Sequence, residues 1–237
     1  MTKTRSTLFP AKDRDLHETA WLRSWNTFLS AAYPRTRRQP VGNLYMLNDD
    51  ALETGHSLEM HAGEDSCVVL LPLTGALAFS ESGGTNGMLA AGQAQFLLLS
   101  KGETLVLGNP SAGEPVNFLQ AWFRNPGQAL PAPARAEFDL NIFQNCLLRI
   151  SPQRWGRDPL PFSVSIGKFT GRGETVYFPS GSDAGVFVLV LDGVFKVEGR
   201  VLQARDGLAL YEAAELEVEA LGNDAIILLV EQPALAV

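Results

Sequence analysis

The sequence predicts an all-β protein that contains two jelly rolls in tandem. The first observation is that the 237-residue chain consists of short apolar runs separated by Gly, Asn, Asp and Pro, a pattern typical of sandwiches and barrels. The second observation is that the pattern occurs twice. Helical periodicity is scarce. We expect no more than one or two helical turns between Leu16 and Ala32, and Pro34 would end them.

An internal repeat of three landmarks divides the chain. Each copy starts with an apolar strand, passes through a Thr-Gly or Asp-Gly turn that suits a hairpin, and continues as a second strand. A strand that begins with Gly and a late apolar strand follow in the same order, which indicates two copies of one β unit. The landmarks are Val68–Phe79, Gly92–Leu99 and Val116–Phe123 in the first copy, and Val186–Val197, Gly207–Glu212 and Ala225–Glu231 in the second.

A stiff connector separates the two copies. The run PGQALPAPAR at Pro126–Arg135 contains three prolines, and proline fixes φ and favours an extended backbone. We therefore predict an N-terminal domain at residues 1–130 and a C-terminal domain at residues 131–237. Roughly 100 residues with many short strands is the size of a jelly roll, which encloses a pocket lined by alternate residues of each strand.

The composition excludes several classes of partner. With 46% hydrophobic residues, 19% charged residues and a net charge of −7, the chain is globular and lacks the basic stripe that a nucleic-acid binder needs. The cluster of Arg35, Arg37 and Arg38 is interpreted as a solvated loop. We expect neither a signal peptide nor a membrane span. Because Cys67 and Cys146 have no disulfide-framework spacing, we expect free thiols and a cytoplasmic location.

Several segments carry a resemblance to a known family. They are AWLRSWNTFLS at Ala20–Ser30, LYMLNDD at Leu44–Asp50, NFLQAWF at Asn117–Phe123, and the late strands DGLALYE and AIILLVEQP of the second copy. Together with the repeat, they resemble pirin and its bacterial relatives in the cupin superfamily, over almost the whole chain. The resemblance implies a tandem cupin, or bicupin, with two β jelly-roll barrels. It also implies an iron or other transition-metal site in the N-terminal roll, made by a His-x-His pair and a later His and Glu two residues apart.

At the positions that match these family ligands, the sequence has lost most of the donors. His61 matches the first His of the pair, and Gly63 matches the second. The family's following acidic position falls on Cys67, and the later His and Glu positions fall on Leu105 and Leu107. Because a transition metal needs several imidazole or carboxylate donors, we predict that the chain binds no metal and needs no cofactor.

Replacement donors are present around His61 but are poorly spaced. Residues two apart on a strand share a face, so we expect His61, Gly63 and Cys67 to point together into the roll, with Asp65 between the last two. A His/Asp/Cys set is chemically suited to zinc, but six residues of strand span ~20 Å, which is too far for one ion. We interpret Cys67 as a packed core cysteine rather than a reactive thiol.

Three functions stay open at this point. The leading hypothesis is a metal-independent bicupin, a small-molecule-binding or regulatory protein whose N-terminal pocket takes a small apolar or aromatic ligand. That ligand would lie around His61, Gln95, Leu105 and Leu107. The second hypothesis is a metal-dependent dioxygenase similar to the family's quercetin 2,3-dioxygenases. The third is a protein-interaction module, like the members described as transcriptional co-regulators. No catalytic residue is assigned, no direct nucleic-acid or membrane partner is expected, and the oligomeric state is left open.

Overall fold

The computed structural model describes residues 5–28, 39–125, 133–152, 154–155, 158–160, 162–181 and 183–233. Within these ranges the chain forms strands and one short 3-10 helix at Ala11–Asp13, with no α-helix, which confirms the all-β fold class. The strands in chain order are β1 (Arg5–Phe9), β2 (Asp15–Glu18), β3 (Leu22–Asn26), β4 (Leu44–Leu52), β5 (Ser57–His61), β6 (Ser66–Thr74), β7 (Ala76–Glu81), β8 (Asn86–Ala90), β9 (Gln93–Leu99), β10 (Thr104–Gly108), β11 (Val116–Arg124), β12 (Ala134–Glu137), β13 (Leu148–Arg149), β14 (Arg154–Trp155), β15 (Asp158–Pro159), β16 (Ser163–Phe169), β17 (Glu174–Tyr177), β18 (Gly185–Asp192), β19 (Phe195–Val197), β20 (Arg200–Leu202), β21 (Gly207–Tyr211), β22 (Leu216–Ala220) and β23 (Ala225–Gln232).

Two compact units each contain one large and one small sheet, and the N-terminal unit also contains the two-stranded sheet β14-β15. The N-terminal roll comprises Arg14–Phe138 and Arg154–Pro159, and the C-terminal roll comprises Met1–Asp13, Asp139–Gln153 and Leu160–Val237. In the N-terminal roll the strand orders are β12-β9-β6-β11-β4-β3-β2 and β5-β10-β7-β8. In the C-terminal roll they are β1-β21-β18-β23-β16-β13 and β17-β22-β19-β20. The strands from β4 to β11 thus correspond one to one with those from β16 to β23, which agrees with the predicted repeat.

The compact units differ at both ends from the predicted division into residues 1–130 and 131–237. β1 lies at the start of the chain but pairs antiparallel with β21 of the C-terminal roll. Phe9 holds it there, because its ring meets that of Phe187 edge-on with 5.4 Å between the centroids. β12 begins in the last two residues of the connector, beyond the predicted boundary at residue 130, but pairs with β9 of the N-terminal roll. Residues 126–132 of the connector lie outside the described residues.

In the described part of the segment expected to form helical turns, residues 16–28, the chain forms two strands. β2 and β3 pair antiparallel, with His17 opposite Ser24. In β3 the buried residues Leu22, Ser24 and Asn26 alternate with more exposed ones, which is the period of a strand rather than that of a helix. The helical expectation is therefore wrong for its described part, because pairing with β4 decides the local structure. Residues 29–38, which include the arginine cluster, lie outside the described residues.

The two glycine turns are corners between sheets rather than hairpins. Gly75 joins β6 in a large sheet to β7 in a small sheet, and Gly193 joins β18 to β19 in the same way. Both glycines have positive φ, 76° and 75°. A Cβ at Gly193 would lie 2.7 Å from the Cβ of Ala225, so both the backbone conformation and the available space require glycine. The expectation of paired strands is wrong here because the chain crosses from one wall of the roll to the other.

Each roll has its own apolar core between its two sheets. The N-terminal core includes Phe118 and Trp122 from the large sheet and Leu105 from the small sheet, all fully buried. The C-terminal core includes Phe169 and Phe195, whose rings also meet edge-on. Because a fully buried large apolar side chain stabilises a fold by about 1.5–3 kcal/mol, these cores fix the sheets that carry the candidate sites.

Candidate functional site

The inner wall of the small sheet in the N-terminal roll is apolar. β5 and β10 pair antiparallel with Met60 opposite Leu105 and Leu58 opposite Leu107. Leu105 and Leu107 are fully buried, whereas Leu58 and Met60 are half-buried and pack against the same core. Ala62, just beyond β5, is also buried in this core. The inner wall thus places side chains of alternate residues, from Leu58 to Ala62, toward the interior.

His61 lies on the outside of the roll, which corrects the expectation that it points inward. Its side chain is 68% exposed, and its Nε2 lies 3.2 Å from the Glu59 carboxylate. Its Nδ1 lies 3.1 Å from the hydroxyl of Thr104, the residue opposite it on β10. Counting back from the Gly75 turn gave the position of His61 along the chain. It did not show on which face of β5 the His61 side chain lies, because residues 62–65 connect β5 to β6 and do not continue one straight strand.

The other members of the expected inward set are dispersed. Gly63 is exposed, and a Cβ there would have no atom within 4 Å. Asp65 accepts a hydrogen bond from the backbone N–H of Lys101 and serves a loop. Cys67 is buried on the opposite face of β6 from Val68 and Leu70, which belong to the core of the roll. Burial raises the pKa of the Cys67 thiol to about 12. The predicted same-face set is therefore wrong.

Gln95 is buried and ties an edge strand to the large sheet. Its side-chain N–H donates to the carbonyl of Ala134 at 3.0 Å, and its side-chain oxygen accepts from Nε of Arg135 at 3.3 Å. Both partners lie on β12. These contacts give Gln95 a structural role in holding that strand.

The side chains at the inner wall do not fit the metal ion that the family resemblance implies. The four inward positions closest to the family's ligand positions are occupied by Met60, Ala62, Leu105 and Leu107. One thioether among three hydrocarbon side chains offers a single soft donor, whereas a transition metal needs several converging donors. Among the residues that the structure describes, no group of three or more His, Cys, Asp or Glu side chains could hold an ion.

A buried polar patch lies on the inner face of the large sheet, and sequence reasoning missed it. The cross-strand register places Ser24 opposite Asp50, and Asn48 opposite Gln120. Leu22 and Leu52 also lie opposite each other, and each is two residues along its strand from Ser24 or Asp50, so all four side chains share one face. Because the two leucines belong to the roll core, the patch faces the interior. Its members, each at most 3% exposed, are Ser24, Asn26, Asn48, Asp50 and Gln120.

Asp50 is the charged member of the patch. The amide N–H of Gln120 donates to Oδ2 at 2.5 Å, while the oxygen of the same amide accepts from Nε1 of Trp122 at 2.7 Å. Oδ1 of Asp50 is buried and has no hydrogen-bond partner in the protein. Burial raises the pKa of Asp50 to about 6, and the neighbouring charge of Asp49 adds to this. Hydrogen bonds from Ser24 and Gln120 act in the opposite direction.

The adjacent carboxylate has a different environment. Asp49 points to the other face of β4, where its oxygens meet Arg14 at 3.5 Å and the amide of Asn117 at 2.8 Å. The alternation Asn48, Asp50, Leu52 in the LNDD segment was the available signal for the patch. Polar residues two and four positions from a core leucine on one strand share its face, and they therefore indicate a polar inner surface.

In the C-terminal roll, polar groups close one end of the interior. Glu231 follows Ile227 and Leu229 on the inner face of β23. Its carboxylate accepts hydrogen bonds from the hydroxyls of Tyr177 and Ser180 and, at 2.9 Å, from the backbone N–H of Ser180. Burial raises the pKa of Tyr177, and the Glu231 carboxylate adds to this. Both carboxylate oxygens have hydrogen-bond partners, so we assign this group a structural role.

Comparison with known proteins agrees with the architecture. Residues 162–231 match the family model described as the quercetinase C-terminal cupin domain. The quercetin 2,3-dioxygenase of Escherichia coli strain K12 is 24% identical over 225 residues, which cover 94% of this chain and 96% of that protein. The solved structure of YhhW from Escherichia coli has a TM-score of 0.84 at 22% identity and covers 98% of this chain and 100% of that chain. Its complex with nickel(II), described as a bacterial pirin, gives 0.83 at 21% identity with the same coverage.

Two corresponding rolls in one chain define the protein as a bicupin. The chain is similar to pirin-like bicupins over almost its whole length, in agreement with the resemblance seen in its sequence segments. Among the described residues, no helix has the length and apolar character needed to cross a membrane.

Proposed function

We propose that this chain is a pirin-like bicupin that works without a metal ion, as a small-molecule-binding or regulatory protein rather than a dioxygenase. The observation that carries the proposal is the inner wall formed by Met60, Ala62, Leu105 and Leu107. A dication placed against this wall would lose its hydration shell without receiving donors in return. The reaction chemistry of a metal-dependent dioxygenase has no support from these side chains.

The names of the relatives favour the alternative function. One relative is called quercetin 2,3-dioxygenase, and a solved structure of a bacterial pirin similar to this chain contains nickel(II). That alternative needs three or more donors around one ion, and the corresponding part of this chain offers one thioether among three hydrocarbon side chains. The third hypothesis, a protein-interaction module, stays a prediction. A cytoplasmic location and the absence of direct nucleic-acid binding are further parts of our proposal.

The structure changes which of the predicted residues can line the proposed ligand site. The proposed ligand contacts Leu105 and Leu107 in the interior, and it cannot contact His61, Gly63 or Cys67 from there. The recognition elements available in the roll are therefore the apolar wall of the small sheet and the polar patch of the large sheet. This combination suits a small molecule with an apolar body.

The metal content of the purified protein tests the proposal. Protein prepared without chelators is analysed for iron, nickel, copper, manganese and zinc, and its turnover of quercetin is measured beside that of the Escherichia coli relative. We expect metal far below one ion per chain and no turnover above the buffer rate. Stoichiometric metal would remove our proposal, and quercetin turnover together with it would establish the dioxygenase alternative.

A variant with restored donors serves as the matched control. The combined substitutions Met60→His, Ala62→His, Leu105→His and Leu107→Glu place three imidazoles and a carboxylate on the inner wall. We expect this variant to bind nickel(II) and to gain thermal stability from it, because binding to the folded state alone stabilises that state. Wild-type protein treated in the same way should show no such shift.

A further inference from the structure

The interior of the N-terminal roll has two chemically different walls. One wall is apolar and is formed by Met60, Leu105 and Leu107 on the small sheet. The other wall is the polar patch on the large sheet, in which Asp50 is completely buried. Buried acceptors in folded proteins almost always have a donor, and leaving one without a partner costs about 1–3 kcal/mol. The unpartnered oxygen of Asp50 therefore points to a missing donor.

The orientation of the neighbouring amide shows which kind of partner is missing. Trp122 donates its indole N–H to the oxygen of Gln120, so the nitrogen of that amide must face Asp50. Gln120 thus occupies Oδ2. The Ser24 hydroxyl also acts on the carboxyl group, but no hydrogen bond reaches Oδ1, which is left as an acceptor inside the roll. A carboxylate oxygen accepts hydrogen bonds and cannot donate them when ionised. The missing group is a hydrogen-bond donor.

We propose that the N-terminal roll binds a small uncharged molecule whose hydroxyl group donates to Oδ1 of Asp50 and whose apolar part packs on Leu105 and Leu107. This inference rests on the proposed small-molecule function and specifies the ligand for it. A hydroxyl fits better than a full cation, because a cation would lose its hydration against the leucine wall with only one carboxylate in return. The amides and the hydroxyl of the patch provide further polar contacts around the ligand.

Two half-buried methionines border the core of the N-terminal roll. Met46 on β4 and Met60 on β5 border the core and are only half-buried, unlike the leucines behind them. Methionine side chains are unbranched and adapt easily to new neighbours. As part of the proposal, we assign the entry of the ligand to movement of these two side chains.

Two probes of similar size test the proposed hydroxyl contact. Cyclohexanol can donate a hydrogen bond, whereas cyclohexyl methyl ether can only accept one. Binding to metal-free wild-type protein, kept in chelator, is measured for each probe by ligand-detected NMR titration. We expect cyclohexanol to bind about tenfold more tightly, because a hydrogen bond to a charged group contributes about that factor.

The substitution Asp50→Asn should reverse the preference. Gln120 still needs an acceptor, so the new amide turns its oxygen toward Gln120 and its nitrogen toward the interior. A donor then replaces the acceptor at the position of Oδ1, and the ether should bind at least as well as the alcohol. Glu59→Gln removes a carboxylate from the outer surface, where the Glu59 side chain is 60% exposed, and should leave the tenfold preference unchanged.

An internal water molecule is the other source of an O–H donor. If water alone occupies the site, cyclohexanol and the ether will bind equally weakly to wild type and to Asp50→Asn, and that result overturns the ligand proposal. Because the titrations use metal-free protein, they are independent of the metal analysis. Stoichiometric metal in chelator-free protein would remove the proposed function even if the alcohol preference were observed.

Discussion

At the scale of single residues, Asp50 makes the stability of the N-terminal roll depend on pH. Its pKa is about 6 in the folded protein, against 3.8 for an ordinary aspartate. Between these values the folded state holds a proton that the unfolded state has released, so stability falls as the pH rises. The contribution is fully present below about pH 3.8 and is lost by about pH 6, and the loss is roughly 3 kcal/mol.

The substitution Asp50→Asn should therefore stabilise the protein at neutral pH and flatten this dependence. Urea unfolding of the variant and of wild type at several values between pH 4.5 and pH 8 measures the difference in unfolding free energy. We expect the advantage of the variant to grow with pH and to level off above pH 7. A constant difference across the series would show that Asp50 does not titrate in this window. The exposed control Glu59→Gln should track wild type throughout.

The two thiols should differ in reactivity. Cys67 is fully buried, and its pKa of about 12 leaves a thiolate fraction of about one in ten thousand at pH 8. Cys146 is only partly buried. In the variant Cys146→Ser we expect no reaction of the native protein with a thiol-specific dye at pH 8, and one thiol per chain after unfolding. Rapid labelling of this variant before unfolding would contradict the burial of Cys67.

The residue scale is also where sequence reasoning was least complete. The spacing from Gly75 located the positions of the family ligands along the chain, and the absence of donors at Leu105 and Leu107 follows from residue identity alone. The outward position of His61 depends on how residues 62–65 turn between β5 and β6, and spacing does not encode that turn. Asp50 was visible in the LNDD segment, but its burial depends on pairing with Gln120, which lies 70 residues away.

At the scale of elements, the corner at Gly193 should tolerate no side chain. A Cβ there would lie 2.7 Å from the Cβ of Ala225 and 2.9 Å from its Cα. Gly193→Ala adds this overlap to the strain of positive φ, and we expect a loss of about 2–4 kcal/mol in unfolding free energy. Gly199→Ala is the matched control, because Gly199 also has positive φ but has no atom within 4 Å of the added Cβ.

Chemical denaturation of the two variants separates space from backbone strain. Gly199→Ala should cost only about 1–2 kcal/mol, the cost of a left-handed backbone with a side chain. Equal losses in both variants would mean that contact with Ala225 is unimportant. The existence of these turns was predictable from the Thr-Gly and Asp-Gly pairs. Their role as corners was not, because it depends on which sheet the next strand joins.

At the scale of the whole molecule, the stability of the C-terminal roll should depend on the first strand of the chain. Phe9 is buried against Phe187, whereas the adjacent Leu8 is 38% exposed. We expect Phe9→Ala to lower the unfolding free energy by about 3–5 kcal/mol and Leu8→Ala by less than about 1 kcal/mol. Hydrogen exchange in Phe9→Ala should speed up in β18 and β21.

The same exchange experiment locates the effect. Amides of β6 and β11 belong to the other compact unit and should keep their wild-type protection. Faster exchange there but not in β21 would contradict the assignment of β1 to the C-terminal roll. The tandem repeat was readable from the sequence because each copy carries the same run of landmarks. The sequence did not show that β1 joins the C-terminal roll and β12 the N-terminal roll, since edge strands have short and mostly polar sequences.

The pairing of β1 with β21 also sets an order of events during synthesis. Arg5 leaves the ribosome about 200 residues before its partner Tyr211, so β1 is synthesised long before the strand with which it pairs. Until then its backbone hydrogen-bonding groups have no native neighbour, and a nascent chain in this state is a natural client for a chaperone. A fragment that starts after the connector lacks the strand altogether. We expect it to recover its native edge only when residues 1–13 are supplied as a separate peptide.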